Sequence, residues 1–101
     1  MGYKGRYVHN ESLDVDISSP GPLLELETRG RDQLEIFVSS DVNADFELEL
    51  DFGDGTFVPV ETFAGKNSVA QSRDIAADRA RLSVVTSETA GDTADVKLAA
   101  V

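Results

Sequence analysis

Apolar and polar residues alternate along much of the chain. In the clearest segment, 46–52, four apolar residues are separated by three acidic ones. A strand with this pattern places the apolar side chains on one face and the acids on the other, whereas a helix would spread the apolar side chains around its circumference. The alternation therefore predicts half-buried antiparallel strands with one face in water.

Seven further segments carry the same period, some of them less regularly. The predicted strands are 13–17, 24–27, 34–38, 46–52, 56–63, 68–75, 80–86 and 93–101. Short strands separated by turns in this way indicate a β-sandwich or a small barrel. We predict an all-β fold: a single antiparallel β-sandwich, jelly-roll or immunoglobulin-like, of about eight short strands.

Turn-forming residues mark the boundaries between these strands. Gly53-Asp54-Gly55 predicts a tight hairpin, and loops are predicted at 19–22, 29–32 and 64–67. The last two strands are predicted to pair as a terminal hairpin around 87–92. Pro59 cannot donate a ladder hydrogen bond, so its strand is predicted to lie at an edge or to contain a bulge. A single helical turn is allowed over 75–81.

The formal charge of −10 narrows the choice of partners. Nucleic acids require a basic surface, so direct DNA or RNA binding is not expected. Only three of the nine basic residues are lysines. Repulsion among so many acids is screened at molar salt, which favours a halophilic source over the alternative of an acidic mesophilic domain.

The first ten residues differ from the rest of the chain. Residues 1–10 carry two basic and no acidic side chains, while residues 11–101 carry seven basic and nineteen acidic ones. We predict an N-terminal arm (1–10) that docks on a neighbouring subunit and a β-sandwich domain (11–101); a frayed terminus or an edge strand is the alternative. The predicted subunit contacts in the arm and the C-terminal strand are Tyr3, Lys4, Arg6, Tyr7, His9, Leu98 and Val101.

Candidate catalytic and metal-binding motifs are few. The chain has no cysteine and one histidine, and no nucleophile elbow or phosphate-binding loop. We therefore predict no enzymatic activity and no cofactor. Asp41, Asn43 and Asp45 have the spacing that opens a calcium-binding EF-hand loop, but Phe46 and Phe52 occupy its defining Gly and Glu positions. A turn is the favoured interpretation, with weak cation binding as the alternative.

Two further features bear on cellular location. The N-terminus lacks the apolar core of a signal peptide, and no window is apolar enough to suggest a membrane span, so no membrane association is expected. Asn10-Glu11-Ser12 is a glycosylation sequon, which matters only outside a cell. Whether Asn10 is glycosylated is left open.

Two segments of the sequence resemble known protein families. The segment 51–55, Asp-Phe-Gly-Asp-Gly, resembles the hairpin turn of PKD domains, but Leu50 replaces the family's tryptophan. Residues 40–101 are similar to small acidic β-structural proteins of haloarchaeal tailed viruses and proviruses. The similarity lies in the strand at 44–52, the hairpin into 56–63, and the ending 80–98. That resemblance implies a scaffold in which a final hairpin closes a sandwich, with no site residues.

The resulting hypothesis is a non-enzymatic virion structural protein of a halophilic archaeal virus. It would be a capsid decoration, turret or tail subunit, made in the host cytoplasm and carried in the extracellular particle. Its expected partners are further copies of itself and other virion proteins such as a major capsid protein. The alternative is an immunoglobulin-like carbohydrate- or surface-binding module of a halophile, which would require clustered exposed aromatic side chains.

Overall fold

A computed structural model describes residues 8–87 and 92–101, and all regular structure in these residues is β-strand. This confirms the predicted all-β, antiparallel class. The strands are β1 (Val8–Asp16), β2 (Gly21–Glu27), β3 (Gln33–Asp51), β4 (Phe57–Asp74), β5 (Arg79–Ser87) and β6 (Thr93–Ala100).

The long strand β3 organises a single antiparallel sheet. β4 pairs with β3 along one edge for nearly its whole length. The other edge is divided: β6 pairs with residues 34–40 and β5 with residues 44–51. β1 adds to the outer edge of β6, and β2 adds to the outer edge of β5.

The sheet bends at the middle of the β3–β4 hairpin. Between the pairs Ser39–Ser68 and Ala44–Lys66, four residues of β3 oppose one residue of β4. Such bulges bend a strand and increase its twist. Gly65, with φ of 63°, adopts the left-handed conformation that a bulge requires.

The bend defines two wings of the sheet. The first wing contains β1, β6, residues 33–40 of β3 and residues 68–74 of β4. The second wing contains β2, β5, residues 44–51 of β3 and residues 57–66 of β4. At the open side, the Asn10 side-chain amide in β1 donates to the backbone carbonyl of Glu25 in β2 at 2.9 Å. The sheet therefore folds back on itself, with its two ends joined by a side chain.

Apolar side chains of the two wings meet in one core. Leu34 and Ile36 come from the first wing and Phe46 from the second, and all three are fully buried. Fully burying side chains of this size contributes about 1.5–3 kcal/mol each relative to exposure. The alternation seen in the sequence thus supplies one apolar face to each wing.

Residues 8–87 and 92–101 form six strands rather than the eight predicted. Segments 34–38 and 46–51 are parts of β3, and residues 57–63 and 68–74 of two further predicted segments are parts of β4. The residues between them form bulges instead of turns. The predicted two-sheet sandwich is not confirmed, because all six strands are joined in one continuous hydrogen-bonded sheet.

One local prediction was wrong, and one conformation that the sequence allowed is not formed. β5 and β6 do not pair as a terminal hairpin, since each occupies its own half of one β3 edge. Residues 75–81 make no helical turn either; β5 begins at Arg79.

Two other local predictions are confirmed. Gly53 and Gly55 have φ of 116° and 83° in the β3–β4 turn. Pro59 lies in β4, which is an edge strand, directly beside a register shift.

Candidate interaction surfaces

The predicted arm only partly falls within the described residues. Tyr3, Lys4, Arg6 and Tyr7 lie outside them. His9 lies in β1, opposite Ala99, and is exposed. The end of the predicted arm, residues 8–10, therefore belongs to the strand that borders the first wing.

The two predicted C-terminal contact residues have different environments. Leu98 is fully buried in the chain's own core, so its side chain offers no surface to a second subunit. The Val101 side chain is 50% exposed. The Val101 backbone is held in place, because its carbonyl accepts hydrogen bonds from the amides of Asp32 at 2.8 Å and Gln33 at 3.2 Å. Of these two residues, only Val101 can take part in a contact, at the same end of the β1–β6 pair as His9.

A ladder of paired charges crosses the outer face of the second wing. In β3, Glu49 and Asp51 lie directly opposite Arg81 and Arg79 of β5. Arg81 Nε donates to Glu49 Oε1 at 2.8 Å, and Arg79 Nη2 donates to Asp51 Oδ2 at 2.7 Å. Both guanidinium groups extend over the Phe57 ring of β4, 4.9 and 4.2 Å from its centre for Arg79 and Arg81 respectively.

This covering explains why the two carboxylates are buried. Asp51 is 2% exposed and Glu49 is 9% exposed. The sequence had predicted a solvated acidic face, and at these two positions that prediction was wrong. The sequence contains one indication of this pairing, because Glu49 and Asp51 have the same spacing as Arg79 and Arg81. The register that places them opposite each other is visible only in the fold.

Hydrogen bonds keep both carboxyl groups ionised. The backbone amide of Gly53, followed by the side chain of Arg79, lowers the pKa of Asp51. Burial acts to raise the pKa of Glu49, but hydrogen bonds from Arg81 and Ser83 outweigh it and lower the pKa. Each charge in the ladder has a partner within the ladder.

The acidic motif at 41–45 is divided by the bend. The Asp45 carboxylate accepts hydrogen bonds from the Gly65 amide at 2.7 Å and the Thr86 hydroxyl at 2.8 Å, which lower its pKa, Thr86 contributing most. Asp41 lines a cleft of about 120 Å³ with Asp14 and Asp95. Within residues 8–87 and 92–101 no three side chains form a group that could hold a metal ion. The predicted turn at this motif is a bulge inside β3.

Exposed aromatic side chains do not form a platform in the part of the chain that the structure describes. Phe37 is 45% exposed on the first wing, and Phe52 is 59% exposed at the β3–β4 turn. Phe57 is covered by arginines. The clustered aromatic surface required by the carbohydrate-binding alternative is therefore not seen among these residues.

The outer edge of β4 is the most extended interaction surface. β4 pairs with β3 on one side only, and of its residues only Phe63 and Val69 are buried. The free side of such a strand presents unpaired backbone N–H and C=O groups, to which another strand can bond. The sequence predicted an edge at Pro59 but not that it continues to residue 74.

Comparison with known proteins gives similarity at the level of the fold. The SPBc2 prophage-derived protein YomS, known from a crystal structure, superposes with a TM-score of 0.68. The match covers 93% of each chain at 13% sequence identity, so it establishes a shared fold. No family model matches the chain. No curated protein matches it either.

The described residues include no helix long and apolar enough to cross a membrane.

Proposed function

We propose that this chain is a non-enzymatic structural subunit of a virus particle. The observation that carries the proposal is the fold, which the chain shares over 93% of its length with a prophage-derived protein. At 13% identity the likeness concerns shape alone, so the role comes from combining it with the surfaces described above.

The surfaces support assembly more than catalysis. The ion pairs on the outer face of the second wing are mutually neutralised, and the longest exposed feature is a strand edge. Edges of this kind bind further strands by backbone hydrogen bonding. A subunit built in this way contacts its neighbours along β4 and through the segment around His9.

The finer form of the proposal is a capsid decoration, turret or tail subunit of a halophilic archaeal virus, with a major capsid protein among its partners. Its support is the charge of −10 with only three lysines. Molar salt would screen the repulsion between acidic copies and leave apolar burial as the driving force for assembly.

Protein composition of purified particles tests the proposal. Particles released from cells that carry this gene are banded on a density gradient and analysed by quantitative mass spectrometry. We expect this chain to co-purify with the shell or tail proteins at a fixed ratio through successive gradients. Its loss from particles that keep all other structural proteins would overturn the proposal. A glycan array probed in high salt tests the carbohydrate-binding alternative.

A further inference from the structure

The two halves of the β4 edge differ in regularity. Residues 57–66 contain Pro59 and lie beside two register shifts. Residues 68–74 pair with residues 33–39 of β3 without a shift and contain no proline. Proline and bulges are devices that block the addition of a strand to an edge. The first half of β4 is therefore protected, and the half that belongs to the first wing carries neither device; its Ser72 carbonyl accepts a hydrogen bond from Arg73 Nη1 at 2.8 Å.

The outward face of the open half has a self-complementary sequence. Val69 is buried in the core, so alternate residues of β4 point away from it. The outward series is Ser68, Ala70, Ser72 and Asp74. Lys66 is not part of it, because Lys66 lies beyond a register shift and pairs with the buried Ala44. When residues 68–72 run antiparallel to themselves, Ala70 faces Ala70 and each Ser68 faces a Ser72.

Charge identifies which partner fits this edge. β4 contains two basic and two acidic side chains and has no net charge, so the remaining residues carry the whole −10. Two copies of the chain repel each other least where their β4 strands meet. Opposite charges across neighbouring strands and Ser–Ser pairs stabilise strand pairing, whereas like charges opposite each other destabilise it.

We propose that residues 68–72 of β4 pair antiparallel with the same residues of a second copy, about a two-fold axis at Ala70. Ser68 of each copy then faces Ser72 of the other. The four strands of each first wing join into one continuous sheet across the interface, as an isologous dimer contact allows. This inference names the partner for the self-assembly part of the proposed function and rests on it.

Single cysteines test the register directly, because the chain has no cysteine of its own. In the proposed dimer the two Ala70 Cα atoms are about 4.5–5.5 Å apart, within the range of a disulfide. The two Ser72 Cα atoms are offset by four residues, about 13 Å, which is too far. Oxidised glutathione should convert Ala70→Cys into a covalent dimer and leave Ser72→Cys monomeric. A mixture of Ser68→Cys and Ser72→Cys should give the mixed dimer.

A charge exchange tests the same interface without cysteine. In about 0.15 M KCl, the double variant Ser68→Asp/Ser72→Asp should raise the dissociation constant of the dimer about tenfold, because acids then face acids. The double variant Ser68→Asp/Ser72→Lys places opposite charges across the interface and should keep the constant within about threefold of the unmodified chain. Lys97→Asp, on the central strand β6, is the control for the added negative charge.

Sedimentation and light scattering of the purified chain decide the outcome. Equal crosslinking of Ala70→Cys and Ser72→Cys, or equal dissociation constants of the Ser68→Asp/Ser72→Asp and Ser68→Asp/Ser72→Lys variants, would overturn the β4 pairing. A chain that stays monomeric up to about 1 mM, a concentration at which only very weak association escapes detection, would overturn it too. Incorporation into particles is a separate measurement, so loss of this interface leaves the test of the proposed function intact.

Discussion

Arg73 and Glu61 lie twelve residues apart in one strand, yet Arg73 Nε donates to Glu61 Oε1 at 2.8 Å. Twelve residues of extended strand span about 40 Å. β4 must therefore turn back on itself near Gly65, and the ion pair joins the two wings across the inside of the bend. This ion pair joins the two wings on the β4 side of the sheet, and the hydrogen bond from Asn10 to Glu25 joins them at the open side.

A double-mutant cycle measures the strength of this connection. Arg73→Gln and Glu61→Gln should each lower the Tm, and their coupling should be favourable at about 0.1 M KCl. It should shrink towards zero at about 3 M, where the Debye length is about 3 Å, because both side chains are about one-third exposed. The Arg29–Asp78 pair, with Arg29 75% exposed, is a matched control that should show weaker coupling at low salt. Equal coupling of the two pairs would contradict a bracing role for Arg73.

The C-terminal strand offers a comparison between core and surface. Leu98→Ala removes a fully buried side chain and should lower the free energy of unfolding by about 2–5 kcal/mol. Val101→Ala, at a half-exposed position, should change it by no more than about 0.5 kcal/mol. Urea denaturation gives both values. Similar losses for the two variants would mean that Leu98 is not a core residue.

The Glu49 carboxylate makes stability depend on pH. Its folded pKa lies below the ordinary 4.5, so its stabilising contribution is complete above 4.5 and is lost as the pH falls through the lowered value. Glu49→Gln should cost about 1–3 kcal/mol at pH 7, and the difference from the unmodified chain should narrow below pH 4.5.

Denaturant titrations between pH 7 and pH 3 check this expectation. Glu35→Gln, at an exposed position on the first wing, gives the reference for removing one negative charge from an acidic chain. A Glu49→Gln difference that keeps its size down to pH 3 would rule out the ionised, hydrogen-bonded carboxylate.

The bend depends on the backbone conformation of Gly65. A Cβ added there would meet no atom within 4 Å, so the cost of Gly65→Ala is that of its φ of 63° alone, about 1 kcal/mol. Asparagine tolerates this conformation better, and Gly65→Asn should lose less stability than Gly65→Ala. Thermal melts of the two variants provide the test, and the reverse order would contradict it.

Salt dependence tests the halophilic hypothesis. Repulsion among the acids of a −10 chain opposes folding at low ionic strength, so the Tm should rise between about 0.1 M and about 3 M KCl. A parallel series in sorbitol, which is uncharged, distinguishes charge screening from the stabilisation that any excluded solute produces. A Tm that does not change with KCl would favour an acidic mesophilic domain.

The sequence predicted the strand segments better than their connections. All eight alternating segments lie mainly in strands, because a period of two reports directly which face is buried. The errors fall at 41–45 and 64–67. Asp, Asn and Gly there are typical of turns, but the same residues supply the conformations that a bulge needs. Composition alone does not distinguish the two.

The pairing of strands that are distant in the sequence was harder to predict from the sequence. β5 and β6 follow each other in the chain and were expected to form a hairpin, yet each pairs with a different half of β3. The burial of Asp51 has the same origin, because its cover comes from Arg79 and Phe57 on two other strands. Local periodicity contains no information on which strand lies beside which, and the candidate surfaces depend on that order.

The order of the strands also limits when the chain can fold during synthesis. The β3–β4 hairpin can form early, since its partners adjoin in sequence. β1, although made first, has no backbone partner until β6 has been made, more than eighty residues later. Contacts over such separations slow folding. Until β6 has been made, the apolar side of β3 is therefore exposed to other molecules in the cell. A nascent chain is most prone to aggregate just before its last strand is made.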